Sequence, residues 1–424
     1  MFRGKRFLLT HIWLRGFGGA ELNILELATF LKRNGAEVEV FTFLLLSPLA
    51  EEFTKNGITV IDDIDHSFTV SDYDYIWCAQ NILPPAIVQE LMNKQTKLPK
   101  FAFFHMAALE DHVLEQPYIH QLETKLSSSA LAISEEIIEK NLSRYFTENE
   151  NIVLYQNPAP SEYGSYTFGR KTLKKIMVIS NHPPKELLDL SEVFQEKDIV
   201  VDYYGVWSDK YELASPELFL NYDCVIGIGK NVQYCLTIGI PIYIYDHFNG
   251  PGFLNEENFA LAEKHNFSGR GFEQLKRTSK EIAEEILVNF EKTREFQMDN
   301  LATFRDKFLM DHVIKRVIDY LDKQNKEIKA FDLPYASYVQ AMILLIKNTV
   351  VRLDNDVVNL WKQIDVDKNE INILNEQLLA LEENRDYWKS EQEKLYKEIG
   401  LIKVSRSYRF FEKLRQLRKR TKRK

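Results

Sequence analysis

A chain of 424 residues with 45% hydrophobic side chains is longer than one hydrophobic core supports, so at least two domains are expected. No segment approaches the roughly 18 consecutive apolar residues of a membrane span, and the opening MFRGKRFLLT lacks the apolar core and cleavage site of a signal peptide, which makes a cytoplasmic protein the expectation. The net charge of −8 hides a division: residues 403–424 hold eleven Lys or Arg against Glu412 alone, leaving −18 for the rest, so an anionic partner surface is expected for the tail only.

The first 160 residues alternate short β-branched or aromatic runs with amphipathic stretches: RFLLTHIWL, VEVFTFLLL, ITVID, YDYIWCAQN, KFAFFHM and ALAISEEIIEKNL. That alternation predicts a parallel sheet with helices on both faces. After the first run, Ala20, Ile24, Leu27, Ala28 and Leu31 recur at helical spacing, and Gly35 stops the helix. YQNPAPSEYGSYTFGRK reads as a linker. A second alternation follows, with KKIMVIS, DIVVDYYG, YDCVIGIG and GIPIYIYD as strands. It predicts another doubly wound domain, and residues 294–323 are expected to be helical and to cross back onto the first. Cys78, Cys224 and Cys235 all sit in apolar runs without CxxC spacing, which reads as buried, reduced thiols.

From Val357 a seven-residue repeat takes over. One position carries Val357, Ile364, Ile371, Leu378, Arg385, Gln392 and Ile399; the other carries Leu360, Asp367, Leu374, Leu381, Trp388, Leu395 and Ile402. Eleven of the fourteen are apolar, the seam of a coiled coil, although a long helix packed on its own globular body gives a similar stripe. In the final segment Phe410, Phe411, Leu414 and Leu417 share one helical face with basic residues around them. That is the pattern of a helix lying in an anionic membrane interface. Nucleic acid is the rival partner for such charge, but the aromatics stack with leucines on one side instead of alternating with arginines.

The sharpest local signal is RGFGGAELNILELATFLKRNG, where Gly16, Gly18 and Gly19 separate a strand from a helix. Such a turn brings backbone N–H groups and a helix N-terminus close to an anion, typically phosphate. The spacing is not GxGxxG and no ribose-binding acid follows the second strand, so a nicotinamide cofactor is not expected. A merely tight turn is the alternative. Glu21 suits the first helical turn, where the dipole favours a carboxylate.

GGAELNILELATFLKRNGAEVEVFT closely resembles the opening of the GT-B glycosyltransferases that build bacterial capsules, lipopolysaccharide cores and other surface glycans. In order along the chain, ALAISEEIIEKNL, VLYQNPAP and YDCVIGIGKNVQYCLTIGIPIYIYD resemble later parts of the same pattern. The resemblance implies an interdomain cleft with Gly18 and Gly19 near the diphosphate of a nucleotide-sugar donor, and no catalytic metal or cofactor. The family usually carries two glutamates in the second domain. Here the matching positions hold Ile226 and Tyr234, and the expected arginine gives way to Asn181 and His182, with Lys185 near the family's lysine.

Other groups are candidates for the missing contacts. Lys230 follows GIG at a strand end, where it either meets a phosphate or stands solvated. Asp246, Asn249, Gly250 and Gly252 fall beyond the carboxyl end of a strand, the ligand side of an open α/β sheet. Ser268, Gly269 and Arg270 add a guanidinium beside a glycine turn, suited to bidentate phosphate binding. His105 ends a strand and is the candidate catalytic base, with a structural histidine as the alternative. Asp111, His112, Glu115 and His120 match no metal-site spacing.

The expected architecture is α/β, with two doubly wound Rossmann-like domains (residues 1–160 and 170–325), a helical coiled-coil segment (331–402) and a basic amphipathic tail (403–424). The expected activity is metal-independent sugar transfer from a nucleotide diphosphate-sugar, through Gly18, Gly19, Lys185, Lys230, Tyr234, Asn249, Gly250 and Arg270 as donor contacts, to a lipid-linked or polysaccharide acceptor. Homo-oligomerisation through the coil and attachment at the inner face of the plasma membrane complete the expectation. A non-catalytic scaffold on the same fold and a nucleotide-sugar epimerase are the alternatives.

Overall fold

The computed structural model describes residues 2–80, 82–93, 98–110, 112–146, 152–324 and 333–421. Among these, β1 (Arg6–His11), β2 (Glu37–Thr42), β3 (Thr59–Ile61), β4 (Tyr75–Ala79), β5 (Lys100–His105), β6 (Ser127–Ala132) and β7 (Ile152–Leu154) form one sheet in the order β3-β2-β1-β4-β5-β6-β7. Every pairing in it is parallel. Its central strands are covered on both faces, as their unbroken apolar runs require: β4 is buried along its whole length. The winding direction reverses between β1 and β4, which opens a crevice at the strands' carboxyl ends.

The second sheet contains β8 (Lys175–Ile179), β9 (Val200–Tyr204), β10 (Cys224–Gly227), β11 (Ile242–Asp246) and β12 (Asn249–Phe253), in the order β12-β11-β10-β8-β9. All pairs are parallel except β11 with β12. Two strands were not among the expected elements. β7 is three residues long, too short to show a period. β12, with the sequence NGPGF, was expected to be a ligand loop and is instead an antiparallel edge strand, a position in which a sheet tolerates proline. Gly250 is required there because a Cβ would fall on the Ile244 carbonyl oxygen.

The chain crosses between the domains twice, and the two crossings hold each other. Ala159 N–H donates to the Phe308 carbonyl at 2.8 Å, and Met310 N–H donates back to the Ala159 carbonyl at 2.9 Å. The Met310–Lys323 helix then returns to the first domain, burying Met310, Val313, Ile314, Val317 and Leu321 in its core. Tyr75 fixes its far end through a 2.7 Å hydrogen bond to Asp322. The Leu333–Val404 helix starts on the opposite face of the same sheet, where Ala336, Val339, Ile343, Ile346 and Val350 join the core. The first domain is therefore completed by chain from beyond the second.

Residues 352–424 make a separate compact unit. In it Val357, Leu360, Ile364, Ile371, Leu374, Leu378, Leu381, Trp388, Leu395, Ile399 and Ile402 are all exposed. A bend at Ser405 leads into the Arg406–Thr421 helix, on which Phe410, Phe411 and Leu414 are exposed. The side chain of Leu417 lies outside the described residues. All three cysteines are free and buried.

The two sheet domains meet through buried polar groups. Glu26, on the Gly19–Arg33 helix, lies 2.7 Å from the Lys230 ammonium and accepts a hydrogen bond from the Tyr234 hydroxyl, both on the Lys230–Ile238 helix. Beside them Asn23 donates to Asn157 at 2.7 Å, and Asn157 donates to Asn266 at 3.0 Å. Lys230 and Glu26 expose only 4% and 11% of their side chains. Removing one partner of such a pair strands a charge out of water. Glu26→Gln and Lys230→Met should each cost about 3–5 kcal/mol in denaturant unfolding, and the double variant should cost clearly less than the two together.

Candidate functional site

A cleft of about 420 Å³ opens between the two sheets. From the first domain it takes Phe17, Gly19 and Ala20 at the glycine loop, and His112 and Glu115 after β5. From the second it takes Asn181 and His182 after β8, Tyr211 after β9, Gly229 to Asn231 after β10, and Asp246 and His247 after β11. All of these lie at the carboxyl ends of strands, the ligand side of both sheets.

The glycine loop has two tasks. Phe17 N–H donates to the Tyr211 hydroxyl at 2.6 Å, and that hydroxyl stands 2.9 Å from where a Gly16 Cβ would be, so Gly16 admits a side chain of the other domain. At Gly18 a Cβ would collide with the Glu21 carboxyl group, which folds back over the helix start. Gly19 has open space around it and lines the cleft. Opposite, Gly229 adopts φ +58°, which glycine tolerates, and opens the Lys230–Ile238 helix on the same cleft. Two helix N-termini, one from each domain, thus lend partial positive charge to one space. Below them the Asp246 carboxylate ties two loops together, accepting from Ser180 Oγ and from His247 N–H, each at 2.8 Å.

Of the residues proposed from the sequence as donor or catalytic contacts, Gly19, Lys230 and Tyr234 line the cleft, as do Asn181, His182 and Asp246 named beside them. Gly18 stands at its edge as the residue before the helix. The others lie elsewhere. His105 points into the first domain, its Nε2 lying 2.6 Å from Glu123 in a pair that is 4% and 1% exposed, so it cannot reach an acceptor in the cleft. Arg270 contacts no cleft space, because Nε and Nη2 both lie 2.8 Å from Glu136 of the first domain, which Lys140 and His265 also approach. Burial opposes ionisation of Glu136, yet Arg270, Lys140 and His265 together hold its pKa down to about 2. Asn249 is pinned at the β11–β12 turn, donating to the Glu273 carbonyl at 2.5 Å, and Gly250 is internal to β12. Lys185 is exposed at the start of a short helix outside the cleft.

Lys230 and Tyr234 reach the cleft wall, but their polar ends are engaged by Glu26. Burial pushes Lys230 below its ordinary pKa and Glu26 and Tyr234 above theirs. Cleft residues that the sequence did not single out include Tyr211, Asn231 and His247. Asn231 follows Lys230 at a helix start, which was a usable signal; Tyr211 sits in a loop with none. Of the set Asp111, His112, Glu115 and His120, Asp111 lies outside the described residues and His120 packs on Tyr145. Among the described residues no group of three His, Cys, Asp or Glu is placed to hold a metal ion. Nor is any described helix long and apolar enough to cross a membrane.

No protein-family model and no curated protein matches the sequence. Solved structures similar to it include a glycosyltransferase from Rickettsia africae, at 12% identity over 76% of this chain and 100% of the other, with a TM-score of 0.49. The lipopolysaccharide outer core galactosyltransferase WaaB gives 13%, 76%, 100% and 0.43, and a UDP-N-acetylglucosamine 2-epimerase gives 10%, 77%, 100% and 0.42. The architecture built up above, two doubly wound domains facing one another across a cleft, is the GT-B arrangement.

Glu21 supplies a test of the site's electrostatics. Burial is the largest influence on its carboxyl and raises the pKa from 4.5 to about 7, against the lowering effects of its own N–H and Arg15. The folded value exceeds the unfolded one, so the stability it contributes is present below pH 4.5 and is lost as pH rises through about 7. Glu21→Gln has no such titration. Relative to wild type it should gain about 3 kcal/mol between pH 4 and pH 8 in urea unfolding.

Proposed function

We propose that the protein is a glycosyltransferase that moves a hexosyl or deoxyhexosyl group from a nucleotide diphosphate-sugar to a lipid-linked or polymeric acceptor, in the synthesis of a bacterial cell-surface polysaccharide and without a metal ion. The observation that carries this reading is the convergence of two helix N-termini, at Gly19 and Gly229, on one cleft between two doubly wound domains. A diphosphate is the leaving group such dipoles stabilise as its charge develops. Asn181, His182, Asn231 and His247 supply further hydrogen bonds on the second domain's side.

With His105 buried away from the cleft, the acceptor proton goes to Glu115, the carboxylate that lines the cleft on the first domain's side. Burial raises its pKa, with His112 and Gln80 opposing, which makes the carboxylate a stronger base. The acceptor oxygen then bonds to the anomeric carbon while the bond to the diphosphate breaks and its electron pair leaves on the phosphate oxygen. Calorimetry with a panel of nucleoside diphosphates and their sugars should find one that binds, and Glu115→Gln should keep that affinity while lowering kcat by about a hundredfold or more. Failure of every nucleotide to bind would leave a scaffold on a GT-B body; release of epimerised sugar nucleotide without acceptor would make it an epimerase.

The C-terminal unit fits the same reading as an assembly and anchoring device. Its exposed seam is the surface a second copy would cover in a parallel coiled coil, bringing basic tails to one end. Each Lys or Arg near an anionic leaflet contributes about 1 kcal/mol. The protein would thus work at the inner face of the plasma membrane, with no role for nucleic acid. Removing residues 403–424 should abolish flotation with phosphatidylserine vesicles while leaving the thermal unfolding of the sheet domains unchanged. Rising salt should weaken the wild-type attachment without eliminating it, because Phe410, Phe411 and Leu414 are insensitive to screening.

A further inference from the structure

The loop after β9 brings Tyr211 of the second domain against the glycine loop of the first, and its own bonds hold it in place. Gly205 N–H donates to the Lys210 carbonyl at 3.0 Å, and the Lys210 ammonium lies 2.7 Å from Asp202. The Tyr211 ring packs on Phe17 with centroids 5.1 Å apart. Its hydroxyl oxygen accepts from Phe17 N–H at 2.6 Å and stands 2.9 Å from the place of a Gly16 Cβ. Gly16 has no positive φ, so this glycine serves space and not backbone conformation. The loop leaves room for one hydroxyl of the other domain.

That oxygen accepts from the first domain, and among the described residues nothing accepts its hydrogen. An N–H donated to a phenol oxygen polarises the O–H and makes it a stronger donor. Burial raises the hydroxyl's pKa above the ordinary tyrosine value, with Phe17 N–H opposing and the Glu21 carboxylate adding to the rise, so the proton stays on at neutral pH. Close by in sequence, Gly19 opens the first helix with free space around it, and Phe17, Gly19 and Tyr211 all line the cleft. A ligand atom held there accepts a hydrogen bond in the positive field of a helix start, which is the chemistry of a phosphate oxygen.

Building on the nucleotide-sugar reading of the cleft, we infer that Tyr211 is a phosphate-binding residue: its hydroxyl, oriented by Phe17 N–H, donates to an oxygen of the donor's diphosphate. Because the phenol and the N–H that orients it belong to different domains, the contact also ties diphosphate binding to the interdomain geometry. Calorimetry and saturation-transfer NMR on the full-length protein test it, with UDP, GDP, CDP, ADP and TDP each set beside its nucleoside. Tyr211→Phe keeps the ring against Phe17 and removes only the hydroxyl. It should weaken the diphosphate that binds wild type by about ten- to a hundredfold, the worth of a hydrogen bond to a charged group, and leave the affinity for the nucleoside as it is. Gly16→Ala, whose Cβ displaces the hydroxyl, should give a similar loss, and adding it to Tyr211→Phe should cost little more. A wild type that binds no nucleoside diphosphate would sink the nucleotide-sugar reading and the role of Tyr211 with it. If one binds wild type while Tyr211→Phe holds it as tightly or more tightly, or loses nucleoside affinity in step, the role of Tyr211 is overturned and that reading stands.

Discussion

The buried carboxylate of Glu26 is the constraint on which the relation of the two sheet domains depends. Taking an ammonium and a carboxylate out of water is costly, and only close pairing with further hydrogen bonds returns most of that cost. Here the returns are Lys230 at 2.7 Å, the Tyr234 hydroxyl, and the Pro158 carbonyl, which accepts from Lys230 at 3.1 Å. These partners come from the second domain and the crossing chain, while Glu26 belongs to the first domain. The pair is therefore satisfied at one interdomain geometry, and apolar contact alone would specify it less sharply. The peripheral cluster of Arg270, His265 and Lys140 around Glu136 adds a second fixed point.

The same arrangement accounts for the altered second-domain motif. Where the family resemblance leads one to expect a glutamate, Tyr234 stands, and its hydroxyl is turned to a carboxylate on the opposite domain. The carboxylate that it meets stands across the interface, on the helix that follows the glycine loop. Neither Glu26 nor Lys230 therefore presents a free charge in the cleft. What remains for an anion is the backbone: the helix start at Gly19, the helix start at Gly229, and neutral side chains such as Asn181 and Asn231. Neutral donors and dipoles bind a diphosphate without fixing a counter-charge that must later be shed.

Much of the fold was legible because strand and helix periods are local properties. Unbroken runs such as FLLTHI and YIWCA declare buried parallel strands, and the glycines after β1 mark a turn wherever the chain goes next. Side-chain partnership is not local. Arg270 looks like a phosphate ligand in isolation, but the carboxylate it meets is on a helix of the other domain, 134 residues away. His105 ends a strand at the right edge, yet its side chain turns inward to Glu123. Glu26 is hard to single out locally, because a glutamate off the sheet-facing stripe is usually solvated. One signal did exist. LNILELATFL is apolar on nearly every side, and a helix apolar all round has a second covering surface. Here that covering is the second domain.

The C-terminal unit shows the opposite situation, in which the sequence pattern is clear and the chain alone cannot satisfy it. Eleven large side chains on one helical stripe stay in water in a single copy. In the coiled coil proposed above, burying each such side chain would be worth about 1.5–3 kcal/mol, set against the entropy of association. The three interruptions, Asp367, Arg385 and Gln392, lower that gain. They also restrict it, because a polar residue in a seam is tolerated only in the register that lets it meet a polar partner or reach solvent. Arg385 and Gln392 occupy successive equivalent positions one heptad apart, so a slip by one heptad would set Gln392 opposite Arg385 and leave the outer two polar groups facing aliphatic neighbours. The proposed pairing would therefore be held in one alignment by its polar residues and held together by its apolar ones.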